Sequence, residues 1–399
     1  MSDTQKHTKP NVPNLRFPGF SGEWEKLKVR DFTKVVAGAT PPTDKKEYWG
    51  GAIRWMNSGE LNLKRVYEVQ GRITQLGYDK TSTKLIPSHS VLIGLAGQGK
   101  TRGTSAMNYV ELCTNQSIAS ILPSDSFYPE FLYQNIESRY KELRDISSGD
   151  GGRGGLNLQM IYNLDIPHCS IQEQQKIGDF LYLLDQRIAI QNKIIEDLKL
   201  IKNSITRSLL NRHDESGRIV SLGEITEVVS RRNKGREVFP MYSVTNDRGF
   251  IPQTEQFEDR EMVGEDISAY KIVHNGEIAY NPARINVGSI AQYTGKESCM
   301  ISSLYICLKV KPGVLSNWLI QVLRCEQMKN YYNLYAEGGV RLYLFYPNFS
   351  KIKIYLPTIE QQKRIASVLE AIEAKISLEC SILARYQASK QALLMKLFI

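Results

Sequence analysis

The chain has 399 residues, 42% hydrophobic and 23% charged, with a formal net charge of +9 and a pI of about 9.0. That composition is globular and can build real cores, the length suggests two or three domains, and the positive balance favours a polyanionic partner. No apolar run approaches the length of a membrane span, and six Cys without CxxC spacing and five scattered His offer no metal cluster. The thiols read as reduced, mostly buried residues of a cytosolic protein.

Residues 1–14 are polar, lack the apolar segment of a signal peptide, and are expected to be disordered. Residues 15–169 read as a first globule. It opens on LRFPGFSGEWEKLKVRDFTKVV and continues through short strands and Gly-rich turns (WMNSGELN, SVLIGLAGQGK, ELCTNQSIASILP). An amphipathic helix near 129–146 and a Gly-rich turn, SSGDGGRGGLNL, close it.

Residues 170–212 then read as one helix about 60 Å long at 1.5 Å per residue. Apolar residues recur at steps of four and three: Ile177, Leu181, Leu184, Ile188, Ile195, Leu198, Ile205 and Leu209. Gln191 and Lys202 interrupt this a/d seam. Ser170 followed by Glu173 has the form of a capping box.

The pattern then repeats. Residues 213–357 form a second globule, and 358–399 a second long helix. At an offset of 188, Ile365, Leu369, Ile372, Ile376, Leu383, Tyr386, Leu393 and Leu397 land on the first seam; Glu379 matches Gln191, Lys390 matches Lys202, and Thr358 takes the place of Ser170. The globules correspond too, Val29 with Leu222, Phe32 with Ile225 and Thr33 with Thr226, before a second amphipathic helix near 316–333 and a second Gly-rich turn, EGGVRLYL. Two unrelated amphipathic helices would not match in cap, seam and polar breaks without a gap, so the chain is a tandem repeat. The expected class is mixed α/β (α+β).

Two stretches mimic enzyme motifs. GLAGQGKT (94–101) satisfies the phosphate-loop pattern, but a β-leaning run with Gly103 follows where that loop needs a helix. Tyr280-Asn281-Pro282-Ala283 resembles the Asn-Pro-Pro-aromatic motif of amino-methyltransferases, but lacks the second Pro and the aromatic, and no Gly-rich S-adenosylmethionine loop is nearby. Neither nucleotide hydrolysis nor methyl transfer is expected of this chain.

The order of parts resembles the specificity subunit of type I restriction-modification enzymes. PNLRFPGFSGEWE, TPPTDKKEYWGGAIRW, the turns GGRGGLNL and EGGVRLYL, and the helix starts SIQEQQKI and TIEQQKRI carry the resemblance. It implies that each globule is a target recognition domain reading one half of a split DNA site. It implies that the helices pair as an antiparallel coiled coil with pseudo-twofold symmetry, set the spacing and dock two methyltransferase subunits. Motor-nuclease subunits would join them in the bacterial cytoplasm. The chain itself would be non-catalytic, with S-adenosylmethionine, ATP and Mg²⁺ held by the partners. Gln191 and Glu379 would then face each other and pin register. The alternative is a coiled-coil scaffold that reads no DNA.

Donors on Gly-flanked or flexible backbone are the candidate DNA contacts, since Arg suits guanine and Asn or Gln suits adenine. In the first globule these are Arg54, Asn57, Gln98, Lys100, Arg102 and Arg153; in the second, Arg231, Arg232, Lys234, Arg236, Asn246, Arg248, Arg284, Asn286 and Arg341. Most would touch phosphate rather than bases. The plain alternative is a set of solvated polar loops, and for Trp55 and Tyr343 the default is packing.

Overall fold

The computed structural model describes residues 11–97, 101–147, 154–210, 216–235, 239–253, 267–339 and 341–399. It falls into two compact units, one of residues 1–191 with 382–399 and one of residues 192–381. The central helix (Ile171–Leu210) and the C-terminal helix (Ile359–Leu397) each contribute one segment to each unit.

Eleven described strands lie in the first unit: β1 (Glu25–Lys28), β2 (Val35–Ala37), β3 (Trp49–Met56), β4 (Arg65–Val66), β5 (Arg72–Ile73), β6 (Leu85–Ile86), β7 (Val91–Gly94), β8 (Ser105–Asn108), β9 (Leu112–Thr114), β10 (Ile118–Ile121) and β11 (Asp165–His168). The main sheet has the order β2-β10-β7-β8-β4; a second runs β5-β3-β9-β6, and β1 pairs with β11. Pairing is antiparallel except for β3 with β9 and β4 with β8. Strand alternation divides the main sheet between two cores. Val91, Ile93, Ala119 and Ile121 face one core, built with Phe131 and Ile136 of the helix Pro129–Ser138. Leu92, Ala106 and Ile118 face another, built with Met56, Leu61 and Ile86. Covering both faces explains why VLIG and IASI read as apolar runs rather than alternating ones.

The second unit repeats this plan with β12 (Arg218–Ser221), β13 (Thr226–Val229), β14 (Tyr242–Thr245), β15 (Gly249–Pro252), β16 (Lys271–Val273), β17 (Ile278–Tyr280), β18 (Ile290–Gln292), β19 (Cys299–Ile301), β20 (Ile306–Val310) and β21 (Lys353–Leu356). Its main sheet is β13-β20-β17-β18, the counterpart of β2-β10-β7-β8, and β12 pairs with β21 as β1 does with β11. Alternation recurs: Ile278, Tyr280, Ile290 and Leu308 face one core, while Ala279, Ala291 and Cys307 face the other.

The seam expected from the sequence is the packed face of both helices. Ile177, Leu181, Ile195 and Leu369 are buried, and Leu184, Ile188, Leu198, Ile372, Ile376 and Leu383 are half-buried. In the first unit Ile177 and Leu181 share a core with Leu394 and Leu397, and Asp185 meets Lys390, so the two segments run antiparallel. At the far end Leu394 is more deeply buried than the expected Leu393. Gln191 and Glu379 are both buried, and Lys375 pairs with Glu379 at 2.5 Å.

Two local expectations need correction. Ser170 does cap the central helix, its hydroxyl accepting from the Glu173 amide at 3.3 Å. The Glu173 carboxylate, however, is held by Arg16 through two bonds of 2.7 Å. The complete reciprocal box is at Thr358 and Gln361, with bonds of 3.0 and 3.3 Å. Each amphipathic helix is also two helices: Pro129–Ser138 then Tyr140–Ile146, and Ser316–Leu323 then Glu326–Tyr335. In the first break Arg139 leaves the helix line to reach Glu142 and the Asp165 carbonyl. In the second, Cys325 is extended, and the Tyr332 hydroxyl donates to the freed Leu323 carbonyl at 2.7 Å.

Candidate nucleic-acid interface

The two enzyme-like stretches occupy the same place in the two globules. GLAGQGKT runs from the end of β7 into the connection to β8, its antiparallel partner, and Asn281-Pro282-Ala283 follows β17 in the connection to β18, its antiparallel partner. In the first, the described part of the turn (Thr101–Gly103) leads directly into strand β8, so no helix begins where a phosphate loop needs one. Gly94 and Gly103 close that hairpin, each amide donating at 2.9 Å to the Thr104 and Gly94 carbonyls respectively. In the second, the Asn281 carboxamide accepts from the Ala283 amide at 3.0 Å, a local turn that uses the Asn for structure.

Each hairpin turn is tied to the Gly-rich turn of its own globule by one equivalent bond. Leu156 donates to the Leu95 carbonyl at 2.9 Å, and Leu344 donates to the Pro282 carbonyl at 2.9 Å. Arg102 adds a second tie in the first globule by donating to the Gly154 carbonyl. In the second globule Glu337 and Tyr343 exchange backbone bonds of 2.8 and 2.9 Å around the Gly-rich turn. Gly338 is required there: its φ is +120°, and a Cβ would lie 2.2 Å from the Arg341 carbonyl oxygen.

A third turn joins this surface in the second globule. The β14–β15 hairpin carries Asn246 and Arg248, both exposed, and the Ser289 hydroxyl donates to the Val244 carbonyl at 2.7 Å. Asn246, Arg248, Arg284, Asn286 and Arg341 therefore sit on three turns, the β17–β18 connection being bonded to the Gly-rich turn and to strand β14, which leads into the third. Arg284 and Arg341 are exposed, while Asn286 donates to Asn333 at 3.1 Å. Tyr343 stacks on Phe345 with centroids 5.8 Å apart and planes within 4°. Phe345 is 51% exposed beside the fully buried Leu344, and is an additional candidate for base contact. Its signal in the sequence is the alternation in Tyr-Leu-Phe, which turns two aromatics away from the core.

Other candidates are engaged within the protein. Arg54 on β3 holds Glu68 with bonds of 3.0 and 3.2 Å. The Arg54 hydrogen bond is the largest cause that brings the Glu68 carboxyl down to about 2, and the Val69 amide assists. Asn57 caps the turn Ser58–Leu63 by accepting from Gly59 at 2.8 Å. Arg231 spans both oxygens of buried Glu277 at 2.7 and 2.9 Å. Arg232 and Lys234, beside it, are exposed. Gln98, Lys100, Arg153 and Arg236 lie outside the described residues. Trp55 packs as expected, its indole donating to Ala39 at 3.0 Å and its ring edge-on to Trp49.

Five of the six cysteines are buried and Cys380 is exposed; all are free thiols. Burial pushes the Cys113 and Cys307 thiols up to about 11 and those of Cys169 and Cys299 to about 12. Among the described residues no helix is long and apolar enough to cross a membrane.

A family model described as the type I restriction modification DNA specificity domain matches residues 21–200 and again 218–385. The chain is 32% identical over 191 residues to the type I restriction enzyme MjaIX specificity subunit of Methanocaldococcus jannaschii, covering 45% of this chain and 43% of that protein. It is 27% identical over 180 residues to the EcoR124I/EcoR124II specificity subunit of Escherichia coli, 44% of each chain. These matches thus span less than half the length of those relatives. A match at 21% identity to the EcoprrI specificity subunit of Escherichia coli covers 89% of this chain and 88% of that one. The fold is that of the crystal structure of a type I restriction-modification system S subunit from M. genitalium, with a TM-score of 0.63 at 15% identity, over 97% of this chain and 99% of that one. Matched twice by one family model, once in each half, the chain belongs to the type I restriction-modification DNA specificity family.

Proposed function

We propose that this chain is the DNA sequence-specificity subunit of a type I restriction-modification complex. The observation that carries the reading is the duplication itself. Each globule presents a hairpin turn bonded to a Gly-rich turn, at one place in one fold, within one family match. Each set reads one half of a bipartite DNA site. The net charge of +9 supplies the attraction to phosphate, and Arg284, Arg341, Asn246 and Arg248 are the donors best placed to read bases in the second half.

The chain binds and positions, and its partners do the chemistry. Two methyltransferase subunits dock on the helices and bring S-adenosylmethionine; motor-nuclease subunits bring ATP and Mg²⁺. Exposed apolar residues on the helices support docking: Phe180, Leu183 and Ile190 in the first unit, and Ile194, Leu200, Ile201, Val368 and Leu378 in the second. The complex works in the cytoplasm, where its DNA is.

The test is to reconstitute the chain with a methyltransferase subunit of its own system and map methylated adenines in random DNA. A single bipartite sequence with a fixed spacer is expected. Absence of any sequence preference, in methylation and in binding, would leave a plain coiled-coil scaffold as the answer.

A further inference from the structure

Three side chains join globule to helices in the same way in both units. In the first, Gln134 of the helix Pro129–Ser138 donates to Asp185 of the central helix at 2.7 Å, and Lys390 of the C-terminal helix donates to the other oxygen of Asp185 at 2.5 Å. In the second, Gln321 of the helix Ser316–Leu323 donates to Glu373 of the C-terminal helix at 2.9 Å, and Lys202 of the central helix bonds the other oxygen of Glu373. Lys202 and Lys390 lie 188 residues apart, as do Asp185 and Glu373, while the two glutamines lie 187 apart. Each triad ties a globule, the helix that follows it, and the segment of the other helix beside it.

The surroundings differ between the units. In the first, Lys390 also reaches Glu137 at 2.6 Å, and Arg65 bonds both Asp185 and Glu130 at 2.8 and 2.5 Å. In the second, Arg324 stands in the position of Glu137, exposed on the rim of an open cavity of about 500 Å³ that Lys199, Lys202 and Glu373 also line. The second triad is therefore the barer of the two.

Apolar packing is non-directional, and in each unit the lysine adds a tie that comes from the other helix. A carboxylate fixed by a lysine on one side and a carboxamide on the other is directional. We infer that Lys202 and Lys390 are positioning residues for DNA recognition, setting through this triad the angle at which each globule meets its half-site and so the spacer the complex accepts. This rests on the proposed function.

The test uses the full complex with Lys202→Met, Glu373→Gln and Lys202→Arg, and a DNA library holding both half-sites while the spacer varies by one or two base pairs either way. Methylation is read for each spacer. Wild type should accept one spacer. Lys202→Met should lower discrimination against neighbouring spacers about tenfold, the scale of one hydrogen bond to a charged group, with the bases preferred in both halves unchanged. Lys202→Arg should restore the single spacer. An unchanged spacer profile in Lys202→Met, or altered base preference in a half-site, overturns the proposal. Should Lys202→Met fail to fold, Glu373→Gln takes its place. It removes the charge and leaves a single acceptor oxygen where Lys202 and Gln321 each had one, and a relaxed or an unchanged spacer profile supports or overturns the proposal in the same way. A wild-type complex that marks no bipartite site would instead sink the functional reading.

Discussion

Gln174 and Gln362, 188 residues apart, make the same three hydrogen bonds. The Gln174 carboxamide accepts from the Tyr128 amide at 2.9 Å and donates to the Ser126 and Cys169 carbonyls at 3.1 and 2.9 Å. Gln362 accepts from Leu315 at 2.8 Å and donates to Gly313 and Pro357 at 3.3 and 2.9 Å. Each glutamine is buried and satisfies the backbone just before the globule's helix. Replacing either by Leu strands one amide and two carbonyls. Gln174→Leu and Gln362→Leu should each cost about 3 kcal/mol or more, since every buried group left unpaired costs about 1–3 kcal/mol. Gln361→Ala, at the exposed cap, should cost about 1 kcal/mol or less. Urea unfolding of the three variants checks the contrast.

Acid should uncouple the second triad. Burial raises the Glu373 carboxyl, but hydrogen bonds from Lys202 and Gln321 outweigh it, so its pKa lies below the ordinary value. A depressed folded pKa means the contribution is complete above the unfolded value of about 4.3 and is lost as pH falls through the folded one. The stability difference between wild type and Lys202→Met should therefore be constant near neutrality and shrink as pH falls below about 4. A difference that stays constant down to complete protonation of Glu373 would show that the pair contributes nothing.

The basic run at 231–236 should divide by role. Arg232 and Lys234 are exposed, whereas Arg231 holds buried Glu277. Arg232→Ala with Lys234→Ala should lower the slope of log K against log salt by up to about 1.8, at about 0.9 per phosphate contact. Arg231→Ala should leave that slope and reduce stability, because it uncovers a buried carboxylate. Fluorescence anisotropy across a salt series, beside a thermal melt, separates the two.

The second globule should be exchangeable. Residues 220–356 begin and end in the β12–β21 pair, where Val220 faces Ile354, so the ends of the segment lie side by side. Grafting the matching segment of a relative should change one half-site and leave the other, as read by methylation mapping. Changes in both halves would show that the globules do not read independently.

The helices should act as a ruler. Four residues inserted near Gln191 and four near Glu379 lengthen each helix by about 6 Å, which matches about 2 base pairs at 3.4 Å each. The preferred spacer should lengthen by that amount at reduced activity, because the added helical turn and the DNA twist do not match. Full activity on the original spacer would exclude a ruler.

Periodicity and duplication are local properties, and the sequence alone carried them far. The 188-residue offset, the seam from Ile177 onward and the Ser170 and Thr358 caps all stand in the structure, because a helix stripe or a cap depends on neighbours along the chain. Partners distant in sequence were legible only after folding. Nothing within Glu68 or Glu277 announces that they occupy Arg54 and Arg231, and nothing in Glu173 shows that Arg16 displaces it from its expected cap. The breaks at Arg139 and Cys325 likewise depend on the Asp165 carbonyl and the Tyr332 hydroxyl reaching the open turns. That GLAGQGKT and Asn281-Pro282-Ala283 occupy equivalent strand connections was hidden for the same reason. Their side chains have nothing in common, and only the strands β7–β8 and β17–β18, aligned by a shared sheet order, place them together. That Arg54 and Arg231 are held by carboxylates is decided by charge pairing in three dimensions, which no spacing rule encodes.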